Sequence, residues 1–382
     1  MTRKYLLKNL AFLLLITLLL PLVGCQDKEQ PVRIGVIADD FLDDAYHSLN
    51  GIELALADVE QEGGLMIDGR KVKLELVVEK IEFNPEQAVA AIRKLINKDD
   101  VVAVIGPQYS GDAIPTASIA EISRVPMISP MSTNSKTTYG RSYVFRMSYL
   151  DGVQGRVMAQ LAADDLKAER AAILYNKADP YSVGLSEVFF AAFAKRGEVV
   201  ATETYLTGDT DFSEQFGRIE QADPDVLYIP GFLEDIAGAV RQFKEKELDV
   251  QLLGSDGWNQ VDAPKTEGFE KTFYTSHWSP LLPYAETKRF NDRYFERYQR
   301  EPVSTAALSY DALRLVVEAM RQSNDTDSKS VRDGLVELPS YRGVGGVIDF
   351  ESGGDPKKSV LVLQVVAGRN EVYRVVEPGV ID

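Results

Sequence analysis

The sequence predicts an α/β protein with two doubly wound parallel-sheet lobes joined by a multi-strand hinge. Short apolar runs suited to buried strands alternate with amphipathic segments of helical length. This alternation occurs in two series, one before and one after Asp151. Parallel strands need helical crossovers, which cover both faces of each sheet. Two series of this kind therefore predict two α/β layers.

The first series contains four strands and three helices. The predicted strands are 33–38, 71–78, 101–105 and 127–128, and the predicted helices are 49–59, 85–96 and 113–122. The second series contains four strands and four helices. Its predicted strands are 171–175, 198–205, 226–229 and 251–253, and its predicted helices are 153–166, 184–194, 212–221 and 236–247.

The C-terminal third breaks the alternation. Three helices are predicted almost in succession (285–300, 306–322 and 330–336), followed by strands 359–366 and 372–375. We expect this third to be shared between the lobes. Residues 32–148 with 278–345 would form the first lobe, and 149–277 with 346–382 the second.

The first 31 residues predict export and a lipid anchor. Basic residues precede a short apolar run at 10–24, which is shorter than the roughly 20 residues of a membrane span. The run ends in Leu22-Val23-Gly24-Cys25, which resembles the lipobox of bacterial lipoproteins. We therefore expect a signal peptide at 1–24, lipidation of Cys25 and a polar linker at 25–31. The alternative is an ordinary signal peptide with an incidental Cys.

Composition excludes several functions. The chain of 382 residues has a formal net charge of −16, which disfavours binding to a phosphate backbone, so no nucleic-acid partner is expected. One Cys and two His cannot form a zinc site of the usual type, and no metal or cofactor is expected. No phosphate-binding loop, nucleophile elbow or zinc-protease motif is present, so an enzyme is not expected.

Several phrases, in order, resemble the leucine/isoleucine/valine-binding family of periplasmic solute-binding proteins, which have the type I fold. The matching phrases are Ile34-Gly35-Val36, Gly51-Ile52-Glu53-Leu54-Ala55, Val104-Ile105-Gly106-Pro107, Val125-Pro126-Met127-Ile128-Ser129-Pro130 and Tyr310-Asp311-Ala312. The resemblance implies a monomeric, extracytoplasmic protein that closes its lobes around an amino acid or related small polar ligand and delivers it to an ABC transporter permease. The alternative is a lipoprotein of the same fold that regulates a partner, such as a sensor or a cell-wall synthase, without transport.

The resemblance also implies a ligand site. Ser110 would hold the ligand carboxylate, while the Met131 carbonyl, Ser132 and the Thr133 hydroxyl would line the first lobe. On the second lobe, Tyr181 and Phe232 would line the cleft and Asp256 would pair with the ligand ammonium.

The positions of these residues are consistent with that site, because ligands of open α/β sheets bind outside the carboxyl ends of the strands. Ser110 precedes a predicted helix, whose N-terminus suits a carboxylate, although Ser110 or Asp112 could instead be an ordinary N-cap. Asp256 could equally be a turn former. Tyr109 and Trp258 join Tyr181 and Phe232 as aromatic residues on strand-end loops, where core packing is the alternative.

Two features depart from the family pattern. The loop after the first strand is Ala38-Asp39-Asp40-Phe41-Leu42-Asp43-Asp44, where the family has small and hydroxyl residues. These acids are either a solvated face or an indication of a basic ligand. Asp112 would repel a ligand carboxylate if it pointed inward.

Overall fold

The structure is a computed structural model, and it describes residues 30–39, 48–260, 263–350 and 353–379. The lipidation expected at Cys25, the signal peptide at 1–24 and most of the acidic loop after Ala38 lie outside the described residues. Among the described residues, no helix is both long and apolar enough to cross a membrane.

Ten α-helices are assigned within the described ranges. They are α1 (Ser48–Gln61), α2 (Pro85–Asn97), α3 (Ser110–Ser123), α4 (Asp151–Gln160), α5 (Pro180–Phe193), α6 (Ser213–Ala222), α7 (Leu233–Glu245), α8 (Ala285–Tyr298), α9 (Ser304–Ser323) and α10 (Ser328–Glu337).

The same ranges contain sixteen strands. They are β1 (Val32–Ala38), β2 (Leu65–Ile67), β3 (Arg70–Val72), β4 (Leu74–Lys80), β5 (Ala103–Ile105), β6 (Met127–Ser129), β7 (Val144–Arg146), β8 (Arg170–Asn176), β9 (Glu198–Tyr205), β10 (Val226–Tyr228), β11 (Gln251–Leu253), β12 (Phe273–Ser276), β13 (Tyr341–Gly343), β14 (Gly346–Ile348), β15 (Val360–Val366) and β16 (Arg369–Val376).

Two sheets form the body. The first has the order β4-β1-β5-β6-β7 and is parallel throughout. The second has the order β16-β15-β12-β11-β10-β8-β9. Its strands β8 to β12 are parallel, whereas β15 and β16 are antiparallel. The α/β prediction is therefore confirmed, with an antiparallel edge that the sequence did not indicate.

Each sheet is covered by helices because its central strands are apolar on both faces. The central strands β5 and β6 of the first sheet are buried along their whole length. Helices α2 and α3 bury a separate cluster of apolar side chains that includes Ile92 and Leu95. Burial of aliphatic side chains of this size stabilises the fold by about 1.5–3 kcal/mol each.

Helix α9 is the most deeply buried helix of the described chain and packs on α1. The two backbones approach closely at Gly51, where an added Cβ would lie 2.1 Å from the carbonyl oxygen of Ala306. The C-terminal third thus supplies a helix that packs on the helices of the first sheet and two strands that complete the second sheet.

Several predicted boundaries differ from the structure. The strand expected at 71–78 is divided between β3 and β4, and the helix expected at 153–166 begins two residues earlier and ends in a π-helical turn, Leu161–Asp165. Strands β7 and β12 were not expected. Both are short segments whose pattern carries little information alone, and neighbouring strands decide their conformation.

Candidate functional site

The carboxyl ends of the first sheet's strands lead into polar loops. Helix α3 begins at Ser110, and its N-cap residue Tyr109 makes no side-chain capping hydrogen bond. The alternative that Ser110 or Asp112 is an ordinary N-cap does not hold, because both residues lie within the helix. This helix end keeps its positive dipole without a side-chain cap, which favours an anion.

Ser110 is part of a buried hydroxyl network. Its Oγ lies 3.0 Å from Ser132 Oγ, which in turn lies 2.8 Å from Thr137 Oγ1. The backbone N–H of Asn134 also donates to Ser110 Oγ, at 3.4 Å. Ser110, Met131, Ser132 and Thr133 are all buried. The structure thus brings together the four residues that the sequence places on this side of the site.

Arg146 holds the loop that carries three of these residues. Its guanidinium is fully buried and donates to the carbonyl oxygens of Ser132 at 2.6 Å and Asn134 at 2.9 Å. Its Nε donates to Asp355 at 2.7 Å. Burial lowers the pKa of Arg146. The sequence analysis missed this residue, because nothing in a short strand indicates where an Arg side chain points.

Asp256 is the centre of the polar network on the second sheet. One carboxylate oxygen accepts from Tyr181 Oη at 2.7 Å and from Gln154 Nε2 at 2.8 Å, and the other lies 2.9 Å from His277 Nε2. Despite burial, which acts to raise the pKa, His277 and these hydrogen bonds hold the pKa of Asp256 below its ordinary value. Asp256 is therefore an ionised, buried carboxylate.

Asp151 carries a second buried carboxyl group, which the charge of Asp256 influences. Burial raises the pKa of Asp151 to about 7, the Thr133 hydroxyl opposes that shift, and the charge of Asp256 adds to it. The backbone N–H of Asp151 donates to the Thr133 carbonyl at 2.9 Å. Thr133 and Asp256, which follow strands of different sheets, thus both act on the same carboxyl group.

Contacts between the two sides of the site are aromatic and polar. The ring of Tyr109 meets that of Phe232 edge-to-face at 4.9 Å, and Phe232 stacks on Tyr181 at 4.9 Å. Phe83, which the sequence analysis did not identify, contacts both Tyr109 and Phe232. The amide of Asn134 donates to the Pro180 carbonyl at 2.9 Å.

Trp258 has a different environment from the other aromatic residues. Its indole is fully buried, donates to the Ile229 carbonyl at 3.1 Å and packs against Phe269 and Tyr274. The structure therefore places Trp258 in the core beside the second sheet and apart from the rings that join the two sides.

Asp112 faces the second side of the site from the first turn of α3. Burial raises its pKa to about 7, and the charge of Asp179 adds to the shift. Asp179 caps α5 by accepting hydrogen bonds from the N–H groups of Tyr181 and Ser182. Asp112 Oδ2 is buried without a hydrogen-bond partner among the described residues. Burial and like charge thus favour the neutral form of Asp112, which reduces the repulsion of an anion that the sequence suggested.

A buried set of polar groups with one uncapped helix end and one ionised carboxylate can bind a small polar molecule. Among the described residues, no cluster of His, Cys, Asp and Glu is arranged to hold a metal ion.

The chain belongs to the periplasmic binding protein family, whose model matches residues 31–370. The members of this family are substrate-binding proteins that act outside the cytoplasm, and they are not enzymes. The type I fold is shown by the structural neighbours described below.

Among curated proteins, the chain is 28% identical over 323 residues to Leu/Ile/Val-binding protein homolog 2 of Brucella abortus (strain 2308), which covers 82% of this chain and 83% of the relative. It is also 28% identical over 322 residues to an amino acid binding protein of Pseudomonas aeruginosa, with the same coverage of 82% and 83%.

The solved structures that resemble this chain belong to the same family. The leucine binding protein LivK of Thermotoga maritima superposes with a TM-score of 0.83 at 30% identity, covering 91% of this chain and 99% of that one. The branched-chain amino acid transporter substrate binding protein LivJ of Streptococcus pneumoniae, in complex with isoleucine, has a TM-score of 0.83 at 27% identity, covering 91% and 100%. The predicted resemblance to the leucine/isoleucine/valine-binding family is confirmed.

Proposed function

We propose that this protein is a lipid-anchored solute-binding protein of an ABC transporter, and that it captures an amino acid or a related small polar molecule between its two lobes. The observation that carries the proposal is that the site contains both an uncapped helix end, at Ser110, and an ionised carboxylate, Asp256. Each group complements one end of a zwitterion. The relatives named for leucine, isoleucine, valine and amino acids support this ligand class.

The carboxylate of the ligand would bind at Ser110 and the start of α3. Ser132 lies within hydrogen-bond distance of Ser110 and can hold its hydroxyl in position. The Met131 carbonyl and the Thr133 hydroxyl would accept hydrogen bonds from the ligand ammonium. Helix N-termini bind carboxylates through backbone N–H groups and the helix dipole.

The ammonium would pair with Asp256. Three hydrogen-bond donors already hold this carboxylate in place, so it is positioned before a ligand arrives. A charge-assisted hydrogen bond of this kind is worth roughly 1.5–3 kcal/mol. Tyr109, Tyr181 and Phe232 would enclose the ligand, whereas Trp258 would support the Asp256 turn from the core.

Lobe closure is the proposed means of capture. The lobes would be residues 32–148 with 278–345 and residues 149–277 with 346–382. The aromatic contacts of Phe232 with Tyr109 and Phe83 join residues of the two proposed lobes and would form on closure. A ligand that contacts both lobes shifts the population towards the closed form, because it binds that form more tightly.

Lipidation of Cys25 would keep the protein at the membrane on its outer side. The proposal rests on the basic start, the short apolar run and the small residues before the only Cys in the sequence. Expression of the full chain with Cys25→Ser should release the protein from the membrane fraction into the soluble extracytoplasmic fraction. A variant that remains in the membrane fraction would contradict the anchor without affecting the ligand proposal.

A thermal-shift screen of amino acids, amides, polyamines and small acids tests the binding function. A solute carrier is stabilised by RT ln(1 + [L]/Kd), which is about 2.7 kcal/mol at a hundredfold excess over Kd. We expect at least one amino acid or close analogue to raise the unfolding midpoint. If no small molecule in the screen shifts the midpoint, the regulatory alternative with a protein partner is favoured instead.

A further inference from the structure

A cavity that neither Ser110 nor Asp256 lines lies where segments that follow β12, β13, β14 and β16 meet the start of β15. Its volume is about 380 Å³. The residues of its lining that bear on the argument are His277, Gly345 and Lys358. A cavity of this size is large enough for a small organic molecule.

Lys358 is buried in the wall of this cavity with few partners. It is 5% exposed, and its ammonium donates to the Met147 carbonyl at 3.3 Å. Asp311 is the nearby carboxylate that acts on it, but Asp311 accepts the backbone N–H groups of Val344 and Gly345. Burial lowers the pKa of Lys358 to about 8, with Asp311 opposing the shift. An ammonium has three N–H donors, and the one long hydrogen bond that Lys358 makes within the described part of the chain leaves capacity for an acceptor.

His277 supplies a hydrogen-bond acceptor, whereas Lys358 supplies donors. Its Nε2 faces the ionised Asp256 at 2.9 Å, so Nε2 carries the proton in the neutral ring, and burial lowers the pKa of this imidazole. Nδ1 is then an acceptor, and it is buried without a hydrogen-bond partner among the described residues. Nδ1 is therefore available to accept a hydrogen bond.

We propose that this cavity is a second ligand site for a small hydroxycarboxylate, whose carboxylate binds the Lys358 ammonium and whose hydroxyl donates to His277 Nδ1. The acidic residues Asp349 and Glu377 also line the cavity, which limits the ligand to a low negative charge. Because His277 contacts Asp256 directly, occupancy of this cavity is linked to the carboxylate proposed to hold the principal ligand.

Isothermal titration of the full chain with glycolate and lactate tests the site, with acetate as the ligand that lacks the hydroxyl. Wild type should bind glycolate or lactate more tightly than acetate. Lys358→Met should lose at least about tenfold in affinity, as expected for a charge-assisted contact. Lys195→Met is the matched control, because Lys195 is exposed and lies outside the lining of the cavity, so the affinity of this variant should match that of the wild type.

Two further variants keep the test decisive. In Gly345→Ala the added Cβ would lie 3.0 Å from Lys358 Nζ, so it should weaken binding without removing a charge, even if Lys358→Met does not fold. Ser110→Ala should leave glycolate binding intact. Absence of binding to wild type, binding that survives both Lys358→Met and Gly345→Ala, or binding that is lost in Ser110→Ala would each overturn the proposal.

Discussion

The Tyr181 hydroxyl lies 2.7 Å from a carboxylate oxygen of Asp256, and the N–H of Gly257 donates to the same hydroxyl at 2.9 Å. Tyr181 is the second residue of α5, whereas Asp256 begins a short 3-10 turn after β11. This contact fixes the carboxylate against the helix that also provides the Pro180 carbonyl for Asn134. The Asp256 carboxylate and the contact between the two sides therefore depend on the same helix end.

Tyr181→Phe should weaken ligand binding while leaving the fold intact. The variant keeps the ring that stacks on Phe232 but removes one hydrogen-bond donor to a buried carboxylate, a loss of roughly 1.5–3 kcal/mol. Titration calorimetry with a ligand found in the screen should show a higher Kd. Tyr373→Phe is the control, because that exposed hydroxyl contacts Asp165 away from the site. Equal affinities for wild type and Tyr181→Phe would contradict the role of this hydrogen bond.

Arg146→Met should destabilise the protein by about 3–5 kcal/mol. The variant removes a fully buried guanidinium together with its charge-assisted hydrogen bonds to Asp355 and to the carbonyls of Ser132 and Asn134, each worth roughly 1.5–3 kcal/mol. The two carbonyls keep one neutral donor each, the Ser148 hydroxyl and the Thr137 N–H. Chemical denaturation measures the difference. Arg218→Met is the matched control, because Arg218 pairs with Glu203 at the surface, where ion pairs contribute little to stability. Similar losses for both variants would contradict the assignment of Arg146 as the anchor of the loop.

Phe83→Ala should increase the dissociation rate of the ligand. Phe83 contacts one ring on each side of the site, and such aromatic pairs contribute about 0.5–1.5 kcal/mol each beyond their buried area. Stopped-flow dissociation of the bound ligand measures the effect. Phe295→Ala, at an exposed position on α8, provides the comparison and should leave the rate unchanged. A dissociation rate in Phe83→Ala equal to that of Phe295→Ala would show that the contact plays no part in capture.

Asp112 should make stability depend on pH. Its folded pKa, about 7, is raised above the ordinary value of 3.8, so the folded state binds the proton more tightly than the unfolded state. The contribution of Asp112 to the free energy of unfolding is therefore greatest below pH 4 and is lost as pH rises from about 4 to about 7. His277, whose pKa is lowered, has the opposite sign, since its contribution is lost as pH falls below about 6.5.

The difference between wild type and Asp112→Asn isolates the contribution of this carboxyl. Thermal unfolding should show the variant gaining stability relative to wild type as pH rises from 5 to 8. Glu270→Gln, at an exposed position away from the site, should show no such gain over that range. A difference between wild type and Asp112→Asn that does not change with pH would contradict the raised pKa.

Gly51→Ala tests the close contact between α1 and α9. An added Cβ would meet the Ala306 carbonyl at 2.1 Å, so the helices would have to separate, and overpacking of this kind costs about 1–3 kcal/mol or more. Gly238→Ala lies inside α7 with no atom near the added methyl group and should instead stabilise the protein by about 0.4–1 kcal/mol. The denaturation midpoints of the two variants measure these effects. Midpoint shifts of the same sign would contradict the close contact between α1 and α9.

The sequence could predict the elements with long periodic patterns, and it could not predict those fixed by distant contacts. Helix α2 was predicted to within one residue of its end because Ala88, Ile92 and Leu95 repeat at helical spacing. Strand β12 was missed because its four residues, all buried, carry no alternation and acquire their pairing from β11 and β15.

The same distinction applies to the site. Ser110 and Asp256 follow strand ends, so their positions could be read from the order of elements. The contacts of Arg146 with a loop at 132–138, and of His277 with Asp256, depend on side-chain directions that only the folded structure defines. Trp258 also shows that an aromatic residue on a strand-end loop can pack inward.

The central claim is that one ligand is held by Ser110 on one side and Asp256 on the other. Titration calorimetry with the same ligand and wild type, Ser110→Ala and Asp256→Asn tests it most directly. The account predicts that both variants weaken binding, with Asp256→Asn losing roughly 2–5 kcal/mol because a buried ammonium loses its counter-charge. Binding by either variant with the affinity of the wild type would contradict it.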